Sequence, residues 1–186
     1  MNRSVKIAKK AEIGGNCTKG RARLELLGGF RLSASGRPVE VSAKKNRALL
    51  GIVALSPGME TTRERLIGLL WNDRGEEQAR ASLRQALAAL RKDLAILDVE
   101  ALLLPADRVA LHPELVSVDA LEFLDVSAGN DAADHRAAAA LYRGTFLDGL
   151  GDISDAFDDW LREARADLVG RAIRVLAALA ASSTGA

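Results

Sequence analysis

Apolar residues along the chain fall into runs of different period. From Glu76 to Leu94, the positions Leu83, Leu87, Leu90 and Leu94 recur at spacings of four, three and four, and Ala86 falls beside them. That is the period of an amphipathic helix with one apolar stripe. Arg80, Arg84, Gln85, Arg91 and Lys92 lie off the stripe, with the small residues Ala81, Ser82 and Ala88 among them. The pattern predicts a long helix with two unlike faces, one apolar and one basic.

Upstream, Arg23 to Leu32 alternates apolar and polar positions around Gly28-Gly29, which predicts one strand or two short ones with a bend at the glycines. Ser33 to Gly36 carries a turn composition, and Pro38 to Val41 reads as a further strand. Ser42 is placed to cap a helix over 43–55, which Ser56-Pro57-Gly58 ends. Thr61 or Thr62 is placed to cap the next helix, whose apolar side is Leu66, Ile67, Leu69, Leu70 and Trp71; Trp71 closes it and is expected in the core. Downstream, two short apolar runs, Ala101 to Leu104 and Arg108 to Leu111, flank Pro105-Ala106-Asp107 and predict a hairpin with Arg108 near its tip. Three more helices are expected, at about 118–126, 132–147 and 154–182.

The 186 residues suffice for one ordinary domain or two small ones. The net charge of +1 hides an asymmetry: residues 1–22 carry six Lys/Arg against one Glu, residues 23–112 fourteen against eleven acids, and residues 113–186 six against thirteen. A basic front and an acidic back suggest two modules with different partners, the basic one suited to polyanions. The first 22 residues lack periodicity and read as a flexible basic arm. One cysteine, Cys17, excludes an intrachain disulfide and points to a reducing compartment. No apolar run approaches the length of a membrane span, and none follows the N-terminal charges as in a secretory signal, so a cytoplasmic location is expected.

The order strand, strand, helix, helix, long basic helix, hairpin is that of a winged helix-turn-helix. Arg47-Ala48-Leu49-Leu50, Pro57-Gly58, Thr62 to Trp71 (TRERLIGLLW), Ala81 to Leu87 (ASLRQAL) and Leu90 to Leu94 (LRKDL) closely resemble the DNA-binding domain of the SARP family of bacterial transcriptional activators, itself related to the OmpR/PhoB type. Ser117 to Phe123, Leu141 to Gly144, Phe146 to Gly149 and Trp160 to Leu168 resemble the tetratricopeptide-like helical module, the bacterial transcriptional activator domain, that follows in that family. The resemblance implies an α+β, mostly helical fold. It would comprise an arm over 1–22, a winged-helix DNA-binding domain over 23–112 with a small antiparallel sheet and a wing hairpin, and the start of the helical module over 113–186. That module has more helical pairs in the family than fit here, so a fragment of a longer regulator is expected, with Leu168, Val169, Ile173, Val175 and Leu176 in need of cover.

The resemblance further implies that helix 76–94 enters the major groove, that hairpin 101–111 is the wing, and that Trp71, Asn72, Asp73, Arg74 and Gly75 form a loop that touches RNA polymerase. Its partners would be double-stranded DNA, as direct repeats bound by a dimer or a tandem pair, and the polymerase. By residue type, Arg84, Gln85 and Arg91 suit base edges, since Arg pairs bidentately with guanine and Gln with adenine. Lys44, Lys45, Arg63, Arg65, Arg80 and Lys92 suit phosphates, and the resemblance places Arg108, in the wing, for a minor-groove or phosphate contact. Three of these have a plainer role. Arg80 can pair with Glu76 or Glu77, and Arg91 and Lys92 suit the negative end of the helix dipole.

The two histidines, His112 and His135, are far apart and show no metal-ligand spacing. No phosphate-binding glycine loop and no catalytic constellation is present, so neither a cofactor nor an enzymatic activity is expected. Asp152, Asp155, Asp158 and Asp159 lack the spacing of a calcium loop and suit helix capping. The rival reading is a helical interaction scaffold, or the regulatory front of a larger protein, whose winged helix no longer binds DNA; the +3 over residues 23–112, modest for a DNA binder, keeps it open.

Overall fold

The computed structural model describes residues 22–95 and 101–184. The basic arm expected over 1–22 lies almost wholly outside the described residues.

Four short strands form the first sheet, in the order β3 (Arg37–Pro38), β2 (Arg31–Ala34), β1 (Ala22–Glu25), β7 (Val116–Val118). β1 (Ala22–Glu25) and β2 (Arg31–Ala34) run antiparallel with Leu24 opposite Leu32, so the glycine-interrupted stretch is two strands. Ser35 and Gly36, both at positive φ, make the two-residue turn into β3 (Arg37–Pro38). The strand expected at 38–41 is therefore shorter and earlier. Pro38 has no N–H to extend a ladder, as suits an edge strand, but Val39 and Val41 still turn inward and are buried.

α1 (Lys44–Leu55) is buried along most of its length, at Ala48, Leu49, Leu50, Ile52, Val53 and Ala54. Ser42 does not cap it. Ala43 holds that position without a side-chain bond, and the Ser42 carbonyl accepts from the Arg47 guanidinium at 2.9 Å instead. β4 (Glu60–Thr62) leads into α2 (Arg63–Leu70), where the Thr62 hydroxyl accepts the Arg65 N–H at 3.1 Å. α3 spans Glu76–Leu94, and β5 (Leu102–Leu103) and β6 (Arg108–Leu111) form the hairpin. β6 also pairs with β4, giving a second sheet in the order β4-β6-β5. α1, α2 and α3 pack on one another, and Leu66, Leu70, Leu83, Leu87 and Leu90 fill the space between them.

β7 (Val116–Val118), α4 (Asp119–Val126), α5 (Ala132–Leu141) and α6 (Asp155–Thr184) complete the chain. β7 joins the first sheet as a parallel partner of β1, with Leu24 beside Val118, so this sheet bridges the division expected at residue 112. Asp119 deepens the connection. Its buried carboxylate accepts the N–H of Leu26 at 2.7 Å and of Leu27 at 3.1 Å. Burial pushes this carboxyl up, while the backbone N–H groups of Leu26, Leu27 and Ala120 pull it down.

The helix expected over 132–147 stops at Leu141. The chain then turns back through Gly144, near φ 158°, and Leu147, at φ 48°, conformations no helix accommodates. Phe146 bridges to Leu27, Gly28 N–H donates to the Thr145 carbonyl, and Leu147 N–H donates to the Leu26 carbonyl. Arg165 of α6 holds this segment from the other side, donating to the carbonyls of Phe146 and Leu147 at 2.8 Å each. Along α6, Leu168 and Val175 are buried, whereas Val169, Ile173 and Leu176 stand exposed, the last two at 62% and 55%. Part of the apolar surface expected to need cover thus finds it within the chain. No helix among the described residues is long and apolar enough to cross a membrane.

Candidate nucleic-acid interface

α3 has two faces, as its period requires. Ala79, Leu83, Leu87, Leu90 and Leu94 are buried and fix the helix on α1 and α2. Arg80, Arg84, Gln85, Ala88, Arg91 and Lys92 are exposed. Glu76 and Glu77 occupy its first turn and Arg91 and Lys92 its last, each sign at the favourable end of the helix dipole.

Among the described residues, Arg84, Gln85, Arg91 and Lys92 make no ion pair and no side-chain hydrogen bond. A cation with no acid beside it keeps its full attraction for an incoming polyanion. Arg80 differs: its guanidinium pairs with Glu76 one turn earlier, the local role its spacing allowed. Lys44 and Arg65 are exposed at the starts of α1 and α2.

Lys45 is half-buried. Its ammonium donates to the Leu70 carbonyl at 2.5 Å and lies 5.3 Å from the centre of the Trp71 ring. Desolvation lowers its pKa, with Asp73 acting in the opposite sense. So one of the expected phosphate cations is already engaged, as a tie between α1 and the C-terminal end of α2. Arg63 is half-buried, with Nε enclosed and unpartnered, and its backbone N–H donates to the Asp107 carbonyl at 2.8 Å. That bond seats the hairpin turn against the start of α2. Arg108 stands beside the turn and pairs with Glu60 at 3.5 Å.

An open groove of about 720 Å³ runs between α2, α3 and the hairpin turn. Arg63, Arg74, Arg80 and Arg84 line it against Glu64, Glu76 and Asp107, so its balance is mildly cationic. Of the α2–α3 loop, Trp71 is buried at 4% exposure, as expected for a core aromatic. Asn72, Asp73, Arg74 and Gly75 are exposed, and Arg74 donates to the Ser82 hydroxyl at 2.9 Å.

No protein-family model matches the chain, and no curated protein matches it. A solved structure of Mycobacterium tuberculosis EmbR, in complex with a low-affinity phosphopeptide, is similar to it with a TM-score of 0.71 and 24% identity, over 87% of this chain and 45% of that one. The chain has the fold of that part of EmbR. It spans less than half the length of the EmbR chain.

Residues that set the site's geometry without standing in it were not singled out from the sequence. Ser154 donates its hydroxyl to the Leu69 carbonyl in the last turn of α2. Gly51 leaves room for Leu147, whose Cδ1 would lie 2.6 Å from a Cβ placed there. A signal for the second existed: a glycine inside an otherwise well-formed helix costs about 1 kcal/mol relative to alanine, so it invites a packing reason. For Ser154 the signal was weaker, a Ser just before an apolar helical period, which marks a cap and nothing more.

Proposed function

We propose that this chain is a sequence-specific DNA-binding transcriptional activator of the SARP type, without enzymatic activity, acting in the cytoplasm. In this reading α1–α3 with the two small sheets are a winged helix, α2 and α3 are its helix-turn-helix pair, and β5–β6 is the wing. α3 enters the major groove. Arg84, Gln85 and Arg91 read base edges, and Lys44, Arg65 and Lys92 contact phosphates. Arg108, beside the wing turn, contacts a phosphate or the minor groove. The exposed part of the α2–α3 loop, Asn72 to Gly75, meets RNA polymerase, and α4–α6 are the first tetratricopeptide-like helices of a regulatory module. Two copies would bind direct repeats.

The observation that carries the reading is the outward face of α3. It offers two arginines, a lysine and a glutamine without partners among the described residues, interleaved with small residues, on a helix held rigidly by a leucine stripe. A solvated surface helix would more commonly intersperse acids four residues from its bases, and here Glu76–Arg80 alone does so. EmbR contributes the fold to this reading and nothing further.

Titration of a fluorescent random duplex across a salt series tests it. Log affinity falls linearly with log salt for a protein that displaces counterions from phosphates. Selection of bound duplexes from a random library then returns a repeated motif. Absence of salt-dependent binding would leave the helical interaction scaffold as the better account.

A further inference from the structure

Ser154 stands immediately before α6, and its hydroxyl has two partners. It donates to the Leu69 carbonyl, and it accepts the N–H of Phe157 at 3.2 Å, which makes it the cap of α6. The last four carbonyls of a helix have no partner within it. At the end of α2, the Ile67 carbonyl takes the Trp71 N–H at 2.9 Å. The Leu70 carbonyl takes the Lys45 ammonium, a bond from α1. The Leu69 carbonyl is supplied from 85 positions along the chain, by the helical half.

We propose that Ser154 is a positioning residue through which the α4–α6 half fixes the end of α2, and with it the α2–α3 loop and the presentation of α3. Only the effect on DNA rests on the DNA-binding reading; the positioning of α2 stands apart from it. α6 is one continuous helix of 30 residues, about 45 Å long at 1.5 Å per residue. Its start is anchored by Phe157 and Leu161, both buried, and by the Arg165 bonds to Phe146 and Leu147. A shift of this helix therefore reaches the Leu69 carbonyl directly. Without Ser154, that carbonyl loses a partner the DNA-binding half does not replace, and the loop that begins two residues later loses an anchor.

The chemistry of the cap separates this role from the stability of α6. Ser154→Asp keeps an acceptor for the Phe157 N–H, since Asp is a strong helix cap, but an ionised carboxylate has no hydrogen to donate to Leu69. Ser154→Gly removes the hydroxyl at a small capping cost. Ser154→Thr keeps both functions. Hydrogen exchange on the free full chain should show amides 66–74 exchanging about five- to tenfold faster in the Asp and Gly variants, with α6 protection unchanged, and at the original rate in the Thr variant. Affinity for the selected duplex should fall several-fold in the same two variants and recover in Thr. Unchanged exchange over 66–74 in a variant whose α6 stays protected overturns the proposal. If the Asp variant unravels α6, the Gly variant decides. Faster exchange in a chain that binds no duplex upholds the positioning role and removes the DNA-binding reading.

Discussion

The guanidinium of Arg143, beyond the end of α5, meets the carboxylate of Glu25 in β1 at 2.6 Å, across 118 positions of sequence. Arg31 of the neighbouring strand takes the other carboxylate oxygen at 2.9 Å. Arg23 stands at 3.9 Å and turns most of its guanidinium to Glu122 of α4, with bonds of 2.8 and 3.0 Å. One acid thus gathers charges from β1, β2 and the segment after α5.

The Arg31 hydrogen bond is the main reason the Glu25 carboxyl sits below its ordinary value of 4.5, with partial burial opposing it and Arg143 adding to it. A carboxyl lowered by folding contributes stability above its unfolded pKa and loses it as pH falls through the folded value. Glu25→Gln should therefore destabilise the protein at neutral pH. The cost should be about 1 kcal/mol, because both main partners are half exposed and solvent screens them. The difference from the parent should shrink as pH drops from 4.5 through the lowered value. Urea denaturation at several pH values measures this, and a gap independent of pH would show that the carboxylate's charge contributes nothing.

The notch at Gly51 gives a second test. Adding a methyl there removes a helical glycine, a gain of about 1 kcal/mol, but drives a Cβ to 2.6 Å from Leu147 Cδ1. Leu147 is fully buried at φ 48° and has little room to retreat. Overpacking of this kind costs about 1–3 kcal/mol, so Gly51→Ala should be destabilising in the parent. In a Leu147→Ala background the obstacle is gone and the same change should become neutral or stabilising. A double-mutant cycle reads the coupling; equal effects in both backgrounds would mean the two sites do not touch.

What could be read beforehand follows the range of the interactions. α3 and the Thr62 cap rest on neighbours within four residues, and periodicity and residue type locate them. The segment 142–150 depends on Glu25 of β1, on Leu26, Leu27 and Gly28 just after it and on Gly51 of α1, all more than ninety residues away. Tyr142 and Phe146 continue the helical spacing of Leu141 well enough to hide the break. The glycines at 144 and 149, both at positive φ, were the available clue. β7 was missed because three residues carry too little pattern, and its pairing partner opens the folded chain. The burial of the Lys45 ammonium cannot be read from sequence, since a lysine beside an apolar stripe can turn either way along its own stem.

That difference between neighbouring lysines is measurable. Lys44 is exposed and sits where its charge opposes the dipole of α1, so Lys44→Ala should change stability by no more than about 0.5 kcal/mol. It should also lower the salt slope of DNA binding by about 1. Lys45→Met should do the reverse: about 1 kcal/mol of stability lost with the Leu70 bond, and no change in slope, because this half-buried ammonium is already engaged by the Leu70 carbonyl and the Trp71 ring. If both variants flatten the slope equally, Lys45 must leave Trp71 when DNA arrives.

On α3 the same logic separates reading from holding. Arg84 and Gln85 are exposed in the middle of the helix and carry the proposed base contacts; Lys92 lies in its last turn. Arg84→Ala should cost about 1–3 kcal/mol on the selected duplex and much less on random duplex, and should relax preference at one base position. Gln85→Ala should do the same at an adjacent position. Lys92→Ala should weaken both duplexes alike and lower the salt slope by about 1. None should alter stability by more than about 0.5 kcal/mol, since none has a partner to lose among the described residues. Binding measured on both duplexes, with thermal denaturation alongside, separates these outcomes. Loss of affinity that is uniform across sequence for Arg84 and Gln85 would place both on the backbone and move the reading of bases to Arg91 or beyond α3.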